Sequence, residues 1–272
     1  MNKLLALILV SFLLIGCSKD ESLNLVGSNT NELLREVKYV GEISDINYSY
    51  EHVESYIYDT KRHLTKIENT IVGATVDFNY NNMGQLSKVT HKYKSIETDD
   101  DNYVTKTYTF IYLNTNTILV KEVITRTRSN NIEENNATLT IDTEGKLIRC
   151  EYDKKQWYGY YSFTCLYDIR GNLIRTQKYD GHISLRCKYD DKPGIGRNIN
   201  IPQWFIIYSL PIGVIFNQSI FLSKVNSVTE LLAGGNDEYY VYAYKDGFPY
   251  ARSSHFKDFY QESDDEQYFK FY

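Results

Sequence analysis

The sequence predicts an all-β protein: an antiparallel, strongly curved or barrel-like sheet of consecutive hairpins, with one apolar insertion covering an open end. Three observations carry this. Tyrosine is the outlier of the composition, at 26 of 272 residues against 2 Met and 4 Pro, and aromatic side chains favour pleated strands over packed helices. Apolar and polar residues alternate with period two between turn signals. One phrase recurs along the chain: an aromatic strand ending in Asp or Asn, Gly three residues later, then Leu and a basic return strand. With 42% hydrophobic and 24% charged residues, the chain has enough apolar side chains for a core.

The first element stands outside the sheet. Met1-Asn2-Lys3 is a short positive start, and Leu4 to Ile15 is almost unbroken apolar sequence, of signal-peptide length and too short to span a bilayer as a stable helix. Residues 1–16 are expected to be a signal peptide. Leu14-Ile15-Gly16-Cys17 resembles the lipobox of bacterial lipoproteins, which implies lipidation of the Cys17 sulfur, cleavage after Gly16 and acylation of the new amino group. Several buried acyl chains, at about 0.8 kcal/mol per CH₂, make such an anchor effectively permanent. Lys19, Asp20 and Glu21 follow and resemble the surface-export signal of Bacteroidetes lipoproteins; a periplasm-facing position is the alternative. Residues 17–35, rich in Ser, Asn and acids, are expected to be a flexible tether. Residues 36–272 are then a single β domain.

Hairpins organise that domain. The phrase runs from Tyr56-Ile57-Tyr58-Asp59 to Ile67, from Phe78-Asn79-Tyr80-Asn81 to Val89, from Leu139-Thr140-Ile141-Asp142 to Arg149, from Cys165-Leu166-Tyr167-Asp168 to Arg175, and in degenerate form from Val241 to Pro249. The Asp or Asn side chain accepts a backbone N–H two residues on, and Gly supplies the positive φ that closes the turn. Arg62 occupies the Gly position of the first copy, so that turn is expected to be strained or rebuilt. Between turns, Val89, His91 and Tyr93 alternate with Lys88, Thr90 and Lys92, giving an aromatic face and a Lys/Thr face. Beyond Cys17 the cysteines are Cys150, Cys165 and Cys187. The odd count leaves a thiol without an intramolecular partner, and small buried thiols on strands are expected.

These phrases resemble the YD repeats of Rhs-type shells. Together with Tyr189-Asp190-Asp191-Lys192-Pro193, Leu222 to Thr229 and Tyr242 to Pro249, they are similar to a family of Bacteroidetes lipoproteins of unknown function described as having a porin-like β fold. Where that family tends to carry a second Asn, this chain has Val225. The resemblance implies a fold and a compartment, and no activity.

The insertion from Asn198 to Ser223 has no charged side chain across 26 residues. Pro202, Pro211 and Gly213 interrupt it as a membrane helix. It is expected to fold onto the aromatic face and cover one mouth of the body, with Trp204 buried.

Chemistry is sparse. The five histidines stand singly, and no HExxH, clustered cysteines or glycine-rich phosphate loop occurs, so no metal, cofactor or catalytic residue is expected. Ser253-Ser254-His255 alternates across a strand and cannot form a nucleophile and base. Asp99-Asp100-Asp101 and Asp264-Asp265-Glu266 lack calcium-loop spacing. With 30 basic against 35 acidic residues, nucleic acid is not an expected partner. The preferred function is a non-enzymatic, lipid-anchored outer-membrane or cell-surface protein binding a glycan or protein ligand. The alternative is a glycan- or peptide-acting hydrolase whose catalytic carboxylates are not recognisable in sequence. An integral barrel fails, because Lys88, Thr90 and Lys92, or Arg186 and Lys188, would face lipid. Cys17→Ala is expected to leave an unprocessed precursor, read by gel mobility and mass; normal maturation of that variant would refute the anchor.

Overall fold

The computed structural model describes residues 33–43, 48–70, 73–94, 103–153, 161–214, 218–233, 236–257 and 262–271. Among them run sixteen antiparallel strands closed into a barrel. They are β1 (Leu34–Ile43), β2 (Tyr48–Tyr58), β3 (Leu64–Asn69), β4 (Ala74–Tyr80), β5 (Leu86–Lys94), β6 (Tyr103–Tyr112), β7 (Thr117–Arg126) and β8 (Ser129–Ile141). Then come β9 (Leu147–Tyr152), β10 (Phe163–Tyr167), β11 (Leu173–Lys178), β12 (Ile183–Pro193), β13 (Asn226–Ala233), β14 (Asn236–Lys245), β15 (Phe248–Lys257) and β16 (Glu262–Phe271). Each strand pairs with its sequence neighbour, and β1 closes on β16.

The turns are those the repeat predicts. Asp59, Asn81, Asp142 and Asp168 each accept two backbone N–H groups through Oδ1, from the second and fourth residues on, at 2.8–3.0 Å. Gly84, Gly145 and Gly171 take positive φ at the fourth position of their turns, the geometry of a three-residue loop with a glycine bulge. Arg62 does the same at φ 67°, so the expected strain is present. The degenerate copy turns instead through Asp246 and Gly247, both at positive φ, as a two-residue hairpin does.

All these turns lie at one end of the barrel, where consecutive hairpins meet with no covalent link. A tyrosine hydroxyl closes most of these seams. Tyr58 donates to the Leu34 carbonyl at 2.8 Å, Tyr80 to Leu64 at 2.9 Å and Tyr112 to Leu86 at 3.0 Å. Tyr167 donates to Leu147 at 2.7 Å and Tyr189 to Leu173 at 2.8 Å. The first four precede a turn and Tyr189 precedes the insertion; each reaches the leucine that starts the strand beside it. Ile141 stands where Tyr would be in the third copy, and there Asn116 takes over, its Nδ2 donating to the Ile141 carbonyl at 3.0 Å.

The period-two pattern sorts faces as expected. On β5, Leu86, Val89 and His91 are buried while Lys88 and Lys92 are exposed. On β6, Tyr108 and Phe110 point inward and Thr109 and Ile111 outward. Sixteen strands, however, enclose a lumen wider than wall side chains alone can fill.

The insertion fills it. A short 3-10 turn (Ile195–Asn198) leads into α1 (Gln203–Ser209), and α2 (Gln218–Leu222) leads back to β13. It enters at the turn end, as a cover would, and continues inward along the wall. Two glycines make the entrance: a Cβ on Gly194 would lie 1.9 Å from the Ser223 carbonyl oxygen, and one on Gly196 would lie 2.1 Å from that of Ile220. Both ends of the insertion are tied to turns, Asn172 bonding both Asp168 and Asn226 and Leu64 N–H donating to the Asn200 carbonyl. No helix among the described residues is long and apolar enough to cross a membrane.

Arg62→Gly removes the left-handed penalty of about 1–2 kcal/mol and adds unfolded-chain entropy of about 0.5–1 kcal/mol. A net stabilisation of roughly 0.5–1 kcal/mol is expected, read as a rise in Tm of about 1–3 °C; a lower Tm would show that the Arg62 side chain holds the turn by other means.

Candidate functional site

Aromatic rings of the insertion meet rings of β2, β4, β6 and β9, and α2 packs against β13. Trp204 is buried against Phe110, ring centroids 5.0 Å apart. Phe205 meets Phe78 edge-on at 5.9 Å, and Tyr208 meets Tyr108 at 6.1 Å. Phe221, on the returning helix, lies 6.0 Å from Tyr56. Lys224 follows it, half-buried, and donates to the Ile201 carbonyl at 2.8 Å; desolvation lowers its pKa to about 8. This half of the lumen is apolar filling.

The wall of β14–β16, β1 and β2 is different. The strand registers bring Tyr242, Arg252, Gln267, Tyr39 and His52 side by side, one residue per strand on the lumen face. Arg252 is buried; its Nε donates to Gln267 Oε1 at 2.8 Å, and Nη1 donates to the Tyr242 hydroxyl at 3.1 Å. Its guanidinium lies over the Tyr240 ring at 4.3 Å, a cation–π contact that replaces part of the lost hydration. Tyr39 stacks on His52 at 4.0 Å and donates its hydroxyl to Glu54 Oε2 at 2.8 Å.

Glu54 is the centre of this sector. It is fully buried, and desolvation raises its pKa to about 7 against the pull of Tyr39, Tyr56 and the Arg252 charge. Burial also lowers the pKa of His52. A carboxyl and a guanidinium therefore share a dry wall, and the carboxyl can take a proton near neutrality. A smaller polar group lies across the lumen, where Asn135 Nδ2 donates to Glu122 Oε2 at 2.8 Å. Beside it, Lys106 donates to the Ile212 carbonyl at 3.4 Å. Burial, with help from Lys106, lowers the pKa of His91 to about 4, so this imidazole is neutral at physiological pH.

Neither polar group is legible as a motif. The available signal is a charged residue in the inward phase of an aromatic strand: Glu54 between His52 and Tyr56, and Arg252 two residues after Tyr250.

Cys17, Lys19, Asp20, Glu21, Trp157 and Asp99 to Asp101 lie outside the described residues. Cys150 and Cys187 are buried free thiols and Cys165 is partly buried; burial raises the pKa of all three. Ser254 faces inward within reach of Gln267, while His255 pairs outward with Asp264 at 2.8 Å, so the alternation separates them as expected. Among the described residues no group of three or more His, Cys, Asp or Glu could hold a metal ion. A cavity of about 70 Å³ lies between the insertion and β10–β13, near Phe163, Thr176 and Leu210, with room for water rather than a drug-sized ligand. A wider, open depression of about 250 Å³ lies over Ala243, Ala251 and Ser253, bounded by Val241 and Tyr268.

No family model matches the chain and no curated protein matches it. Among solved structures, a porin-like protein from Bacteroides uniformis is similar at 14% identity and TM-score 0.38, over 88% of this chain and 96% of that one. A porin-like protein from Bacteroides vulgatus is similar at 10% identity and TM-score 0.42, over 88% of this chain and 98% of that one.

The raised Glu54 pKa sets a sign. Between about pH 4.5 and pH 7 the folded state holds a proton that the unfolded state has released, so stability falls as pH rises through that window. The full effect is about 3 kcal/mol at most. In urea titrations, Glu54→Gln is expected to flatten this loss relative to the parent chain; equal slopes across the window would mean that Glu54 is ionised throughout.

Proposed function

We propose that this chain is a lipid-anchored outer-membrane or cell-surface lipoprotein whose plugged barrel stands in water and works by binding a glycan or protein ligand rather than by conducting or catalysing. The observation that carries this reading is the pairing of a filled lumen with a charged outer wall. An embedded barrel presents an apolar band about 25 Å tall to lipid, and each Lys or Arg at its midplane costs about 2–4 kcal/mol. Here Lys88 and Lys92 on β5, Lys121 on β7, Arg149 on β9 and Arg186 and Lys188 on β12 are all exposed. The aromatic faces point the other way, onto the insertion.

Leu14-Ile15-Gly16-Cys17 supports lipidation at Cys17, and Lys19, Asp20 and Glu21 support export to the surface. The hydrolase alternative gains nothing from Glu54, the carboxyl best tuned as an acid, because it is sealed behind the wall with Arg252.

The test uses protein lacking residues 1–17. It should remain monodisperse without detergent, give no conductance in planar bilayers, and show a thermal shift without turnover against a panel of glycans and peptides. Pores, a requirement for detergent, or turnover would each overturn the reading.

A further inference from the structure

On the outer wall, β11 and β12 place Arg175 directly opposite Arg186. Directly opposed residues have Cβ atoms about 4.5–5.5 Å apart, and like charges so placed are destabilising. Among the described residues neither arginine is bridged to a carboxylate, whereas two neighbouring cations of this wall are neutralised, Arg149 by Glu151 at 2.6 Å and Lys188 by Glu230 at 2.6 Å. The row continues on both sides in aliphatic residues: Leu166 of β10 pairs with Arg175, and Leu232 of β13 pairs with Arg186. Leu166 is 44% exposed, and Ile148 and Ile183 nearby are 38% and 39% exposed.

We propose that Arg175 and Arg186 form a two-guanidinium clamp for a phosphate-type anion, and that its occupant is the anionic headgroup layer of the bilayer beside which the barrel stands. Guanidinium forks match phosphate oxygens bidentately, and an anion between the two arginines turns their repulsion into attraction. Headgroups fit better than a soluble anion because aliphatic side chains flank the clamp, the pairing of basic and apolar groups found at membrane interfaces. The formal charge of the chain is −5, so an anionic surface repels most of the barrel and this patch selects one orientation. The proposal rests on the reading of a water-standing, anchored barrel. From Cys17 to Leu33 the chain spans at most about 55 Å, which keeps the side wall within reach of the membrane.

The test removes the anchor. Protein spanning residues 18–272 retains all sixteen strands, since the barrel closes between β1 and β16. Its sedimentation with vesicles of phosphatidylglycerol and phosphatidylcholine is compared with that of phosphatidylcholine alone, at fixed ionic strength, with and without inorganic phosphate. At least tenfold stronger binding to the anionic vesicles is expected. Arg175→Glu/Arg186→Glu and the milder Arg175→Gln/Arg186→Gln should each lose most of it without loss of Tm, the Gln pair gaining slightly as the repulsion is removed, while Lys88→Glu/Lys92→Glu on another wall should change binding less than twofold. Undiminished binding of both arginine variants, or equal binding to the two vesicle types, would overturn the proposal. Stabilisation by inorganic phosphate without vesicle binding would overturn the assignment to headgroups. Dye release from the vesicles would instead count against the water-standing barrel itself, so the two failures are distinguishable.

Discussion

The bond from a tyrosine hydroxyl to the leucine carbonyl of the neighbouring strand is the interaction on which the barrel depends. A hairpin holds its own two strands through its turn, but nothing covalent joins one hairpin to the next at the turn end. In an open sheet this seam would fray. A neutral hydrogen bond contributes only about 1 kcal/mol, yet here it recurs from Tyr58 to Tyr189 and draws the ring shut at the same level each time. The repeated Tyr-Asp pair thus has two separate duties: Asp folds the turn back on itself, and Tyr fastens that turn to its neighbour.

A closed ring of this size creates the second constraint. Its lumen has to be filled or wet, and the uncharged insertion fills the part lined by Phe78, Tyr108 and Phe110. The insertion leans to one side. Where its helices do not fill the space, the wall is completed by Arg252, Gln267, Tyr39 and Glu54, large polar side chains on four neighbouring strands, with Arg252 bonded to Gln267 and Tyr39 to Glu54. Such a network is costly if any member is lost and specifies one arrangement when complete.

Much of this was legible in the sequence because it is local. Turn chemistry acts within five residues, so Asp59, Asn81, Asp142 and Asp168 announce their hairpins, and Arg62 announces its strain. Alternation is likewise local and assigns Lys88 and Tyr108 to opposite faces. The seam was not legible, because each tyrosine's partner is a backbone carbonyl on the preceding hairpin, which carries no side-chain signature. Nor was the polar sector: Glu54 and Arg252 are far apart in sequence, and only the closure of β1 on β16 brings their strands onto one wall. The depth of the insertion depends on strand number, which sets the lumen's width; the sequence shows an apolar segment needing cover without showing how much room awaits it. The proposed N-terminal anchor is the reverse case: its only support is the local run Leu14-Ile15-Gly16-Cys17, which lies outside the described residues.

Closure between the first and last strands also imposes an order in time. Leu34 pairs with Phe271 and Lys38 with Tyr268, so the ring cannot be completed until the C-terminal strand has emerged, and contacts between chain ends are the slowest to form. The insertion lies between β12 and β13, so it is enclosed only when β13–β16 complete the wall. A chain delivered N-terminus first through a narrow conduit would therefore pass as an extended strand and stay an open sheet on the far side until its final residues are released, becoming a sealed body only then.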